Sequence, residues 1–369
     1  MAQQGSATAA PPEAAPSPPA SGPLTIALDA CGADGGPAVI AAGAAAAAAD
    51  GIRVRAFGTH SELGPLVGIE RVEVRRAEET ISNEEEPVRA VHSKPGASIV
   101  MAAQDVAEGH SHALVSAGST GAALTASVFA LRRLHGVHRP AIAIRLRPPE
   151  RPERQVVFLD AGANAEVRPQ HLVQFAYLGS AFAEAVLAVE RPRVALLSVG
   201  EEPGKGSEAV IAAHEALAGA EGIDFIGNVE GRDLVEGVAD VVVTDGFTGN
   251  VALKAMEGTA KAVGGAVRGA ARSGFFAAIG GLLMRRSLKR LRRELDPDTT
   301  GGAILLGLRG VAVIAHGSAG PEGIANAIRL AERSAREQVV PRTAELLERS
   351  GASRAAVRAS LERDRKPAQ

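Results

Sequence analysis

The sequence has one cysteine (Cys31), no tryptophan, one tyrosine and nine phenylalanines among 369 residues. A single thiol excludes an internal disulfide and any thiolate-held metal cluster. Ten aromatic residues leave little material for base-stacking platforms. Forty Lys and Arg against 42 Asp and Glu give a formal charge of −2, so no general field draws the chain to nucleic acid. No nucleic-acid partner is expected. Long hydrophobic runs are missing too: the longest, Ala38–Ala49, has 12 residues, nine of them alanine. A bilayer span takes ~20, and this run lies too deep for a signal peptide. The expectation is a soluble, cytoplasmic protein. What is abundant is apolar residues, 46% of the chain, enough for a large core. Of the basic residues 34 are Arg and six are Lys, which alongside so much Ala and Gly reflects a GC-rich coding bias rather than a mechanism.

Residues 1–23 hold six prolines and one charged side chain, Glu13. Such a segment buries too little to offset its ordering entropy, and a disordered extension is expected. Residues 24–348 read as one α/β catalytic domain and 349–369 as a charged tail that ends as a fraying helix.

Within the domain one pattern recurs. Short apolar runs stop at a small polar residue and glycine, and a helical stretch follows. The runs are Leu24–Leu28, Ala113–Val115, Gln155–Leu159, Arg193–Leu197, Asp240–Val243 and Gly310–Ala315. Apolar runs without alternation are strands buried on both faces, and their spacing predicts a parallel α/β sheet. Ligands of such sheets bind outside the carboxyl ends of the strands. Here those ends collect Gly, Ser, Thr, Asp and Asn, although a glycine after a strand can also simply turn the chain.

The exits carry the candidate chemistry. In Ser116-Ala-Gly-Ser-Thr-Gly-Ala122, Gly118 and Gly121 permit close backbone approach. Ser119 and Thr120 sit where helix caps belong, so the free N–H groups favour an anion or serve an ordinary capped turn. In Ser198–Glu208, Lys205 lies between two glycines and either holds a phosphate, stabilises an oxyanion or is merely solvated. In Thr244-Asp-Gly-Phe-Thr-Gly-Asn250, the tight Gly246 and Gly249 backbone accompanies the Thr248 hydroxyl and the Asn250 amide. Asp245, Asp160 and Asn164 read as capping or as chemistry, capping being the simpler choice. His316 closes the set on the last exit. No Walker sequence, G-x-G-x-x-G fingerprint or H-E-x-x-H occurs. His110 and His112, if helical, would point about 200° apart, and Cys31 has no histidine partner motif. Neither metal nor cofactor is expected.

Residues 258–293 contain nine basic residues and no acidic one. Phe275, Phe276, Ile279, Leu282 and Leu283 share one helix face, followed by Arg285, Arg286, Lys289, Arg290, Arg292 and Arg293. Gly280 and Gly281 suggest two short amphipathic helices or a bent one across 270–296. Packing on the core or a subunit interface is one reading. The other is contact with an anionic membrane surface or an acidic carrier protein.

The order of motifs resembles a known family: bacterial acyl-acyl carrier protein:phosphate acyltransferase, the PlsX family of phospholipid synthesis. The resemblance runs from about Leu24 to Leu347. It includes Leu28-Asp-Ala-Cys-Gly-Ala-Asp34, Glu86-Pro-Val-Arg-Ala-Val91, the Ser116–Ala122 loop, Leu159-Asp-Ala-Gly-Ala-Asn164 and Pro169-Gln-His-Leu-Val-Gln-Phe175. Further on stand Ile226-Gly-Asn-Val-Glu-Gly-Arg-Asp-Leu234, the Asp240–Val251 segment, Gly301-Gly-Ala303 and Ala315-His-Gly-Ser318. The chain departs from the family at Cys31-Gly32-Ala33, where Met-Gly-Gly is usual, at Ser119, where Asn is usual, and at the less basic His92-Ser93-Lys94.

The resemblance implies transfer of a long-chain acyl group from acyl carrier protein to inorganic phosphate. The acyl phosphate would feed a membrane glycerol-3-phosphate acyltransferase. It implies a three-layer α/β fold similar to isocitrate dehydrogenase and phosphate acetyltransferase, with a protruding amphipathic helix pair, as a homodimer. The family's catalytic lysine and asparagine would fall on Lys205 and Asn250, and its membrane-contacting helices on 275–295, making the enzyme peripherally membrane-associated. Phosphate would attack the thioester directly, without an acyl-enzyme. The rival readings are a CoA-dependent phosphate acyltransferase, a dehydrogenase of the same fold and a non-catalytic membrane-surface scaffold.

Overall fold

The structure, a computed structural model, describes residues 22–149, 151, 153–294 and 299–352, without the side chains of 288–294. The expected N-terminal extension and C-terminal tail therefore fall almost wholly outside the described residues. The first part of the chain runs β1 (Thr25–Asp29), α1 (Pro37–Ala49), β2 (Arg53–Gly58), α2 (His60–Leu63), β3 (Val72–Arg76), α3 (Pro87–Ser93) and α4 (Ser98–Ala107). Next come β4 (Ala113–Ser116), α5 (Thr120–Leu131), β5 (Ala141–Leu146), β6 (Val156–Leu159), α6 (Pro169–Leu187) and β7 (Arg193–Leu197). After α7 (Glu208–Ala218), β8 (Asp224–Val229) and β9 (Val241–Val243) come the long helices α8 (Gly246–Ala270) and α9 (Phe275–Glu294). The last elements are β10 (Ala303–Leu306), β11 (Val311–Ile314), α10 (Pro321–Arg336) and α11 (Val339–Arg349).

All described strands join one sheet in the order β3-β2-β1-β4-β11-β10-β5-β6-β9-β7-β8. The six apolar runs read from the sequence are β1, β4, β6, β7, β9 and β11, and each is followed by a helix. The fold is the expected α/β architecture with a mostly parallel sheet. The sequence pattern does not reveal its centre, where β10 is antiparallel to both β11 and β5, and β5 is antiparallel to β6. The two parallel groups therefore point in opposite directions.

Register brings their ends together. Ser116, the last residue of β4, is level with Ile314, and Ile314 is level with Ala303 of β10. Ile304 is level with Ala143, which sets Ala303 beside Ile144, and Ile144 pairs with Phe158, one residue before the end of β6. The carboxyl ends of both groups thus meet at one height of the central pair. One face of the sheet is covered continuously by α1, α10, α6, α7 and α11. The other face carries two separate apolar patches, one under α3, α4 and α5, the other under the turn Gly231–Val235 and the start of α8. A cleft lies between them.

The helix hairpin is built differently from its expectation. The sequence suggests a break or bend at Gly280-Gly281, yet α9 runs unbroken from Phe275 to Glu294, and the interruption falls at Ala271–Gly274. Two helix-interior glycines cost about 1 kcal/mol each, which lowers stability without ending the helix. A Cβ on Gly281 would come within 2.9 Å of the Ala271 Cβ, so a side chain there would push α9 off the end of α8.

Candidate active site

The cleft has a volume of about 880 Å³. Its floor is the central strands, with Ile142, Ile144, Ala303 and Ile314 exposed to it. One side is formed by Gly118, Thr120, His316 and Gly317 from the β4 and β11 exits, the other by Leu234, Val235 and α8. Along α8 the wall includes Asn250, Lys254, Glu257 and Thr259 beside Leu253, Met256, Ala260 and Val263. One end is thus polar and glycine-rich, while a largely apolar wall extends away from it.

The β4 exit hangs on a carboxylate that the sequence reading passed over. Asp29, at the end of β1, is 4% exposed and accepts from the hydroxyls of Ser98 (2.7 Å) and Ser116 (2.8 Å) and from the Cys31 N–H (3.3 Å). Burial pushes its carboxyl up to about 6, against the lowering effect of these hydrogen bonds. The Ser116 Oγ also accepts from the Gly118 N–H at 3.1 Å. Ser116 is therefore buried structure rather than an exposed contact, and it fixes the turn that brings Gly118 to the cleft. A Cβ on Gly32 would lie 2.7 Å from the Gly118 Cα, so glycine is needed where these exits touch. Ser119 caps α5, its Oγ accepting from the Ala122 N–H. Gly121 packs against Pro87, and Thr120 lines the cleft.

Cys31 sits beside Asp29, and burial followed by that carboxylate pushes its thiol up to about 12. Such a thiol is not a nucleophile at neutral pH. His110 and His112 lie in the connection after α4 rather than on a helix, and the His112 Nδ1 is within 3.1 Å of the Thr25 N.

The second exit is built round Asp160, which is fully buried. Its Oδ1 accepts from the N–H groups of Ile142 (3.0 Å), Gly162 (3.1 Å) and Ala163 (2.9 Å). Its Oδ2 accepts from the Asn164 N–H and side-chain amide, both at 2.7 Å. A carboxylate offers about four lone-pair sites, so five donors saturate it. The Asn164 amide also donates to the Pro140 carbonyl. Both side chains hold the loop, and neither is turned to the cleft.

That loop seats α8. Asp245 is the N-cap, accepting from the Thr248 N–H (2.8 Å) and hydroxyl (2.7 Å), so capping is the role its geometry displays. A Cβ on Gly246 would lie 2.7 Å from the Asn164 N, and one on Gly249 would overlap the Asp160 carbonyl oxygen. These glycines let the helix press onto the loop and set Asn250, one turn in, at the wall beside Ala161. His316 also reaches the cleft, its Nδ1 accepting from the Ser318 N–H and hydroxyl.

Lys205 is placed elsewhere. It is exposed on the β7–α7 loop and is absent from the cleft wall. That loop is held by Ser198, whose hydroxyl donates to the Lys205 carbonyl, and by the Asn228 amide on the Glu202 carbonyl. The two residues expected to do chemistry are therefore not both on one wall of this chain. Arg145, Arg147 and Lys254 do line the cleft and were not singled out from sequence. The signal of the two arginines was their place at the end of β5, a strand that departs from the repeating pattern, whereas Lys254 stands one turn after Asn250 on α8.

The hairpin leaves an apolar face uncovered. Phe275 is 77% and Phe276 85% exposed, and Leu282 and Leu283 are 66% and 80% exposed. Ile279 is partly exposed, and Arg285 and Arg286 lie in solvent. The side chains of Lys289 and Arg290 lie outside the described residues. No helix among the described residues is long and apolar enough to cross a membrane.

Known proteins of the same build agree on the family. The fatty acid synthesis protein family profile matches residues 24–342. A phosphate acyltransferase of Thermobifida fusca is 45% identical over 328 residues, covering 87% of this chain and 90% of the relative. One of Enterococcus faecalis is 41% identical over 329 residues, covering 88% and 99%. Among solved structures, a phosphotransacetylase of Streptococcus pyogenes superposes with a TM-score of 0.56 at 16% identity, covering 85% of this chain and 94% of its own. A branched-chain phosphotransacylase of Enterococcus faecalis gives 0.52 at 14% identity, covering 85% and 99%. At such identities the structures speak for the fold, while the profile and the sequence relatives decide the rest: the chain belongs to the fatty acid synthesis protein (PlsX) family and is an acyltransferase.

Proposed function

We propose that the protein transfers a long-chain acyl group from the thioester of acyl carrier protein to inorganic phosphate, releasing acyl phosphate for phosphatidic acid synthesis. The observation that carries this reading is the cleft itself. A polar end built from glycine-rich strand exits and Asn250 continues into an apolar wall of Ile144, Leu253, Met256 and Val263. Phosphate and a thioester carbonyl suit the first, and an alkyl chain suits the second.

In this reading a phosphate oxygen attacks the thioester carbonyl, and the thiolate of the carrier leaves. Phosphate is already an anion, so the site has to position it and stabilise charge on the carbonyl oxygen. Asn250 donates its amide to one of these oxygens, and the Ser119–Gly121 backbone at the start of α5 supplies further N–H groups. The buried, high-pKa Cys31 supports attack without an acyl-enzyme. Lys205 neutralises phosphate or the tetrahedral oxyanion. Because it lies outside the wall, it comes either by closure of its loop or from the second protomer of a homodimer. Mixing Asn250→Ala and Lys205→Ala chains separates these routes, since only supply in trans restores activity.

The uncovered face of α9 and its cations meet the anionic surface of the membrane, as a peripheral contact that delivers product to a membrane glycerol-3-phosphate acyltransferase. The test of the reaction is acyl phosphate formation from palmitoyl-acyl carrier protein and phosphate. Phosphate-dependent product is expected, and activity only with acyl-CoA would replace the carrier by CoA. No product from a folded protein would remove the reading.

A further inference from the structure

We propose that Arg145 and Arg147, where β5 leaves the sheet, form a subsite of the cleft that binds a phosphate group. The inference rests on the reading of the cleft as an acyl-transfer site and adds to it two cations that the family resemblance does not assign.

Both arginines line the cleft. β5 is apolar through Ala141-Ile-Ala-Ile144 and turns to Arg145-Leu-Arg147 as it rises past the height at which β4 and β11 end. The Arg145 guanidinium donates to the Gln155 side chain at 3.3 Å and to the Thr300 carbonyl. Its Nε is buried with no partner, and so is the Nε of Arg147. Among the described residues no carboxylate lies within 4.0 Å of either guanidinium. Arg333 adds a third positive charge near Arg145, which burial and these two cations pull down to about 10. It is still charged at neutral pH.

Neighbouring cations in a partly buried site, with buried donors left open, are unfavourable unless an anion completes them. The donors belong to planar guanidinium forks, which match phosphate oxygens two at a time. Arg147 follows the end of β5 two residues after Arg145 and lines the same cleft, so one tetrahedral anion can engage both. Phosphate reaches an acyl-transfer cleft in two forms, as the free acceptor and as the phosphoester of a carrier's pantetheine arm. Their shared chemistry is the ligand proposed here.

The test is calorimetric titration of the full chain with inorganic phosphate and, separately, with 4′-phosphopantetheine. Arg147→Gln and Arg145→Gln are each expected to weaken at least one probe tenfold or more, with an unchanged melting midpoint. Loss for inorganic phosphate assigns the acceptor, and loss for phosphopantetheine alone assigns the carrier arm. Arg145 is tied to Thr300, so if Arg145→Gln fails to fold, Arg147→Gln decides. Equal binding by wild type and variants, or no binding of either probe by wild type, overturns the subsite. Neither probe requires turnover. Tight binding without acyl phosphate formation would sink the reaction and keep the subsite, and the converse result would do the reverse.

Discussion

Replacing Asp29 by Asn tests how the β4 exit is held. The carboxyl is buried, touches only neutral donors and has a pKa raised from 3.8 to about 6. Each pKa unit is worth 1.36 kcal/mol, so this rise of roughly two units makes the ionised folded form about 3 kcal/mol less stable than it would be with an unshifted carboxyl. The sign follows from the folded state holding the proton more tightly. The contribution is fully present below about pH 4 and is lost as pH rises through about 6. Asn cannot ionise, and the Ser98 and Ser116 hydroxyls can rotate to meet its amide, with Ser116 still accepting from Gly118. In urea titrations between pH 4 and 7.5, the wild type should lose on the order of 3 kcal/mol relative to Asp29→Asn. At pH 7.5 the variant should be at least as stable as the wild type. Parallel stability curves for the two proteins would refute the reasoning.

Two further perturbations follow from the geometry. Gly249→Ala drives a methyl group into the Asp160 carbonyl, and a cost of about 3 kcal/mol or more is expected in thermal or urea unfolding. Gly265→Ala, in the same helix with nothing within 4 Å of the new Cβ, should instead stabilise by up to about 1 kcal/mol. Equal effects would show that α8 is not seated on the loop as described. Phe275→Ser with Phe276→Ser should weaken co-sedimentation with anionic vesicles by on the order of 2 kcal/mol, about thirtyfold. Unchanged binding would take the membrane away from α9.

Six of the parallel strands were legible because burial on both faces leaves uninterrupted apolar runs such as Val241-Val-Val243, whereas β2, β3 and β8 mix exposed residues with buried or half-buried ones and were not read. The central pair was not. β5 ends in Arg145-Leu146, and β10 follows the basic hairpin, so neither stands in a strand–loop–helix unit. Yet these strands reverse the sheet and set the heights at which the exits meet. Ser119 and Asp245 read correctly as possible caps because a cap is a local event. Asp29 was missed because its partners, Ser98 and Ser116, are 69 and 87 residues away. Asp160 and Asn164 read as capping or as chemistry, with capping the simpler choice. Only their saturated hydrogen bonds distinguish the two. Lys205 shows the limit from the other side: its motif is local, but its distance from Asn250 is a matter of tertiary structure.

The central claim is that the cleft beside Asn250 carries phosphate-dependent acyl transfer. Its most direct test is acyl phosphate formation from palmitoyl-acyl carrier protein and phosphate by wild type and by Asn250→Ala, with circular dichroism to verify folding. Loss of one oxyanion donor typically costs about 10²–10³ in rate, and a fall of that size in a folded Asn250→Ala protein is the result predicted. Wild-type turnover in that variant would contradict the account.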